Sequence, residues 1–176
     1  TVTRRSDGDP MGFDVTVLLP LGAPAAGGLN ATVTLQYEPA EPMAPVLLRG
    51  CVAREFAAFA TNADRPVAHY LRALARDLNE QTPGKGVGVI GQCFTGGFAL
   101  AAAVDESVLA PVLSQPSLPF PIGNKRKPSV GVSDADFDQV KERAAQGVCV
   151  LGLRFTADPA VPPERFETLR RELGDA

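Results

Sequence analysis

The chain has 176 residues, of which 45% are hydrophobic and 21% charged, a balance that fits one soluble globular domain with a substantial core. A net charge of −3 gives no electrostatic basis for binding nucleic acid or an anionic membrane surface; no apolar run approaches membrane-spanning length, and no basic-then-apolar leader opens the chain. Cys51, Cys93 and Cys149 are odd in number and widely spaced, which argues against a disulfide framework and a zinc site and for the reducing cytoplasm.

Residues Thr1 to Gly12 carry little apolar content and are expected to fray. Val15-Thr16-Val17-Leu18-Leu19 reads as a strand ended by Pro20, and Leu21 to Gly28, rich in Gly, Ala and Pro, as a loop. Thr32 to Tyr37 alternates polar and apolar residues, as a half-exposed strand does, and the three prolines between Glu38 and Pro45 forbid regular structure there. Val46 to Phe59 is expected to be helical, with Leu47, Leu48, Cys51, Val52, Phe56 and Phe59 as its apolar stripe.

Asp64-Arg65-Pro66 starts the next helix, which runs to about Gln81 with Val67, Leu71, Leu74 and Leu78 buried and Pro83-Gly84 as its end. A short apolar strand, Val87 to Ile90, follows, then a glycine-flanked turn and an Ala-rich helix to about Val104. Val108 to Leu113 is a buried strand, and Ser114 to Val130 a long Pro-rich loop, long enough to line or cover a site. Within that loop Lys125-Arg126-Lys127 reads as a solvated basic run. Ser133-Asp134 caps a helix to Ala145 that Gly147 ends; Val148 to Leu153 is a further buried strand; Pro162-Pro163-Glu164 opens the last helix, which ends at Gly174. Strands alternating with helices predict an α/β fold with a mostly parallel sheet. The continuous apolar strands predict a sheet covered on both faces, with any site at the strands' carboxyl ends.

The densest signal is Gly91-Gln92-Cys93-Phe94-Thr95-Gly96-Gly97. A strand, a sharp turn with a cysteine at its apex and a helix make a nucleophile elbow. Such a turn forces the apex residue into a strained backbone conformation, so its neighbours must be small. It lifts the side chain above the sheet edge, at a helix N-terminus that favours thiolate.

Three segments in order carry a family resemblance: Gly91-Gln92-Cys93 with Gly96-Gly97, Ala110-Pro111-Val112-Leu113-Ser114-Gln115-Pro116, and Leu153-Arg154-Phe155-Thr156-Ala157-Asp158-Pro159 with Pro162 and Phe166. Over roughly residues 46–176 the chain resembles the dienelactone hydrolase family, while residues 1–45 match poorly; both parts are read as one domain, 1–176. The resemblance implies an α/β-hydrolase fold and a Cys-Asp-His triad acting on lactone or ester carbonyls. Cys93 is then the nucleophile, Asp158 the acid, and the Phe94 backbone N–H one oxyanion donor. Arg54 and Arg154 are weaker candidates for holding a substrate carboxylate. Three departures stand out. Thr95 replaces a glycine of the family motif and is expected to loosen the turn, and Leu21 stands where the family has a glutamate. The family histidine falls beyond Ala176, which implies a truncated chain with an incomplete sheet.

His69, the one histidine, precedes the nucleophile on a helix and is expected to have no catalytic role. Cys51 and Cys149 are expected to be inert core thiols. The resulting expectation is a hydrolase opening a lactone or cleaving an ester through Cys93, without metal or organic cofactor. The alternatives are a catalytically inactive hydrolase-like binding module, favoured by the missing base, and a thiol redox sensor using Cys93.

Overall fold

The structure, a computed structural model, describes strands 2–5, 13–18 and 31–37 by their backbone, residues 48, 52 and 54 singly, and residues 56–174 throughout. Leu21 and Cys51 lie outside the described residues. Among those residues six strands form one sheet in strictly sequential order: β1 (Val2–Arg5), β2 (Phe13–Leu18), β3 (Ala31–Tyr37), β4 (Val87–Gln92), β5 (Val108–Ser114) and β6 (Leu151–Leu153). β1, β2 and β3 pair antiparallel, and β3, β4, β5 and β6 pair parallel. The opening residues thus start as a strand, Val2 opposite Val17 through Arg5 opposite Asp14, where low apolar content led fraying to be expected. An edge strand is held by its backbone ladder.

The parallel strands are joined through α1 (Pro66–Gln81), α2 (Gly96–Ala102) and α3 (Asp134–Ala145), and α4 (Pro163–Leu173) follows β6. Local chemistry sets their ends. Pro66 opens α1 where its missing N–H costs nothing, the Ser133 hydroxyl accepts the Asp136 N–H (3.1 Å) at the start of α3, and Gly147, at φ +99°, lets the chain turn away after it.

Strands that advance one place at a time, joined by right-handed crossovers, put every connecting helix on the same face of the sheet. In accord with this the helices pack in a row, α1 on α2, α2 on α3, α3 on α4, and α2 lies on β4 and β5. The register makes the two faces explicit. Gly91, Leu113 and Gly152 stand in one row on the helix side, where a Cβ on Gly152 would lie 2.8 Å from the Phe166 ring of α4. Ile90, Val112 and Leu151 form the row on the other side; the first two are half-buried and Leu151 is 47% exposed. Coverage on both faces, expected from the apolar strands, therefore holds only on the helix side among the described residues. There the core is dense: all seven residues of α2 are buried, against Val87, Val89, Val108 and Leu113. Each such aliphatic side chain contributes about 1.5–3 kcal/mol relative to exposure.

Two further expectations change. The helix expected over Val46 to Phe59 does not reach Phe59, because residues 56, 58 and 59 lie in turns and Ala57 sits at φ +41°. Leu48 and Val52, expected on its buried stripe, are 68% and 83% exposed. The turns present the carbonyls of Phe56, Ala57 and Ala60 to the guanidinium of the buried Arg65 side chain, and the Ala60 N–H closes one of them on the Ala57 carbonyl (2.9 Å). The strand expected over Val148 to Leu153 shrinks to three residues and is exposed at the sheet edge. Val148 donates its N–H to the Arg143 carbonyl (3.1 Å) and so still belongs to the turn leaving α3. Cys149, expected in the core, is exposed.

Candidate active site

β4 ends at Gln92, and the chain turns at once through a 3-10 element, Cys93–Thr95, into α2. Cys93 sits at φ +49°, a left-handed conformation that costs a non-glycine residue about 1–2 kcal/mol. The neighbours that permit it are glycines. A Cβ on Gly91 would run into the Thr95 carbonyl, and one on Gly96 would come within 2.5 Å of the Pro116 Cα. Thr95 does not loosen the turn. Its side chain is buried, its hydroxyl accepts the Gln92 N–H (3.0 Å) and donates to the Gln92 carbonyl (2.9 Å), and the turn is tied across its base.

Because Gly96 admits Pro116, the loop leaving β5 packs directly against the elbow. Its Ser117 donates its N–H to the Cys93 carbonyl (2.9 Å) and places its Oγ 3.8 Å from Cys93 Sγ, within hydrogen-bonding distance for sulfur. The thiol itself is exposed at the carboxyl edge of the parallel strands. The Phe94 N–H belongs to the first turn of the 3-10 element, where backbone donors have no partner within the helix. The Phe94 ring meets Phe56 edge-on (5.4 Å between centroids), Phe98 (6.2 Å) and Phe120 (6.3 Å), an apolar wall that starts one residue from the thiol and continues to the partly exposed Phe59.

Two arginines missed in the sequence hold this layer in place. Arg165, fully buried on α4, donates to the carbonyls of Pro116, Pro119 (2.6 Å), Arg126 (3.3 Å) and Ser129 (2.6 Å), all in the loop that carries Ser117. Arg65 likewise donates to Phe56 (2.6 Å), Ala57, Ala60 and Gly131. Burial pushes both guanidinium groups down to about 10, which leaves them charged at neutral pH. Nothing in a linear sequence marks an arginine as buried, since guanidinium groups are mostly exposed.

No hydrogen bond joins the remaining candidates to the thiol among the described residues. Asp158 is half-buried in the loop after β6, and its Oδ1 accepts the Ala160 N–H (2.9 Å), closing a local turn. Arg154 donates to the Val161 carbonyl (2.7 Å) and the Thr156 carbonyl (3.4 Å), so it braces that same loop. Arg54 is exposed in a turn. His69 lies on α1 with its Nε2 2.7 Å from Asp64 Oδ1, both side chains largely exposed. A groove of about 280 Å³ opens elsewhere, between α3, β6 and α4, lined by Val148, Cys149, Leu151, Phe166, Leu169 and Leu173 among others.

Among the described residues no three His, Cys, Asp or Glu side chains come together as metal ligands would, and no helix is long and apolar enough to cross a membrane. A scan against protein-family models, a search of curated proteins and a search of solved structures each find no match to this chain.

Proposed function

We propose that the protein is a cysteine hydrolase of the dienelactone hydrolase kind, acting on small esters or lactones in the cytoplasm. The observation that carries this reading is Cys93, held at φ +49° and exposed at the end of a central parallel strand. Strain at an exposed nucleophilic side chain serves chemistry, because a core thiol needs none of it. The Cys93 thiolate attacks the carbonyl carbon and forms a C–S bond while the oxygen takes up the charge, with the Phe94 N–H as one donor toward it. Collapse breaks the C–O bond, and the leaving alkoxide or enolate takes a proton from water. A water molecule then hydrolyses the thioester to the acid and the free thiol. The Phe94, Phe120 and Phe59 rings offer an apolar surface for the acyl group. Asp158 as triad acid and Arg54 or Arg154 as carboxylate holders remain part of the proposal by resemblance alone.

The test is turnover of an activated aryl ester and a small enol lactone by the wild type and by Cys93→Ala. Catalytic turnover that the substitution abolishes supports the reading, and equal turnover by both proteins overturns it. His69, bound to Asp64 on the exposed side of α1, favours a second reading. In it the elbow accepts or binds an acyl group without releasing it, and the wild type then yields a burst of about one equivalent and no steady state.

A further inference from the structure

We propose that Ser117 is a positioning residue for the Cys93 thiol: its hydroxyl holds the sulfur in place and stabilises it when ionised. This inference rests on Cys93 being the nucleophile of the proposed hydrolase. Ser117 is only 3% exposed, and its Oγ has a single hydrogen-bonding partner among the described residues, Cys93 Sγ at 3.8 Å. A buried hydroxyl is costly to leave without partners, so a hydroxyl placed against a thiol alone points to that thiol as the group it serves. The direction of the bond follows the charge on sulfur. The neutral S–H donates to Ser117 Oγ; once the proton has left, the hydroxyl rotates and donates to the thiolate.

The backbone places the pair independently of either side chain. The Ser117 N–H bonds the Cys93 carbonyl (2.9 Å), Gly96 lets Pro116 close against α2, and Arg165 holds the Pro116 and Pro119 carbonyls on either side of Ser117. Ser117→Ala therefore removes the hydroxyl and leaves that scaffold, including the N–H bond. Charged side chains of α4 and of the loop after β6 have backbone partners of their own. Arg165 is spent on carbonyls, Asp158 on the Ala160 N–H and Arg154 on Val161 and Thr156.

The experiment measures the pH profile of Cys93 alkylation by iodoacetamide in the wild type, Ser117→Ala and Ser117→Thr, with peptide mapping to separate Cys93 from the exposed Cys149. A hydrogen bond to a charged group of typical strength predicts about a tenfold slower Cys93 reaction at neutral pH in Ser117→Ala. The midpoint of its profile moves upward, Cys149 reacts at its wild-type rate, and Ser117→Thr, which keeps the hydroxyl, recovers most of the loss. Superimposable Cys93 profiles for wild type and Ser117→Ala overturn the inference, as does a loss shared equally by Cys149, which would mark general loosening. Ester turnover in the wild type is read separately. If it is absent while Ser117→Ala still slows alkylation, the hydrolase reading fails and the role of Ser117 stands. If turnover is present and the profiles superimpose, only the role of Ser117 fails.

Discussion

Gly96 and Gly97 are adjacent, both buried on α2, and do different things. A side chain on Gly96 would meet the Pro116 backbone at 2.5 Å, whereas on Gly97 the nearest atom is the Val130 carbonyl oxygen at 3.4 Å, ordinary contact. Gly96→Ala is expected to destabilise by about 3 kcal/mol and to push the Ser117 loop away from the thiol. Gly97→Ala is expected to be neutral or to stabilise by up to about 1 kcal/mol, through the better helix propensity of alanine. Urea unfolding of the two variants checks the contrast, and equal losses would contradict the assigned packing. Asp158 supplies a further test. Its carboxylate closes a turn on the Ala160 N–H, a role an asparagine oxygen also fills. A triad acid acts by orienting an imidazole, and the one histidine, His69, is bound to Asp64 instead, so Asp158→Asn is expected to change ester cleavage less than twofold; a drop of about a hundredfold or more, typical of losing a group that orients a base, would show that an imidazole is engaged at the thiol.

The loop between β5 and α3 and residues 56–65 before α1 carry no helix or strand, yet each closes over a buried guanidinium. Arg165 and Arg65 act here as internal caps, each collecting carbonyls that no helix or strand satisfies. Burial lowers their values to about 10, below the ordinary arginine range. The unfolded chain therefore binds these protons more tightly, the burial penalty is in full force below pH about 10, and it relaxes only as pH rises above that. Neither group adds pH dependence to stability near neutrality. Removing one is another matter. Arg165→Met strands several buried carbonyls and is expected to cost about 3–5 kcal/mol. It should also slow Cys93 alkylation, since the Ser117 loop loses its anchor; thermal unfolding and the same peptide mapping read both effects. Arg165→Lys should rescue little, because a point-like ammonium cannot reach carbonyls spread around a planar fork.

The molecule as a whole is lopsided among its described residues. The helices line one face of the sheet, and beyond the half-buried Ile90 and Val112 the other face runs out to Leu151 and Leu153, each 47% exposed, with Phe155 more exposed still. An exposed apolar edge strand invites intermolecular contact. The protein is expected to aggregate with rising concentration, and Leu153→Lys to suppress this without changing ester turnover. Light scattering across a concentration series reads the effect, and identical curves for the two proteins would refute it.

The α/β character, α1 from Pro66 to Gln81, α3 with its Ser133 cap, and the strand-turn-helix at Cys93 were all legible in the sequence. Each depends on neighbours along the chain: proline at a first turn, a hydroxyl three residues before an N–H, glycines flanking a strained apex. The effect of Thr95 was local too, but its hydroxyl mattered more than its bulk. What lay beyond the sequence were contacts between residues far apart in it. Ser117 meets Cys93 because β4 and β5 are neighbours in the sheet, and Arg165 reaches Pro116 across 49 positions. The exposed side of Leu151 goes with strands added in one direction and helices packed in a row on one face. Apolar periodicity reports that a strand is fit for burial; whether a helix covers it is set by strand order, which no local pattern encodes.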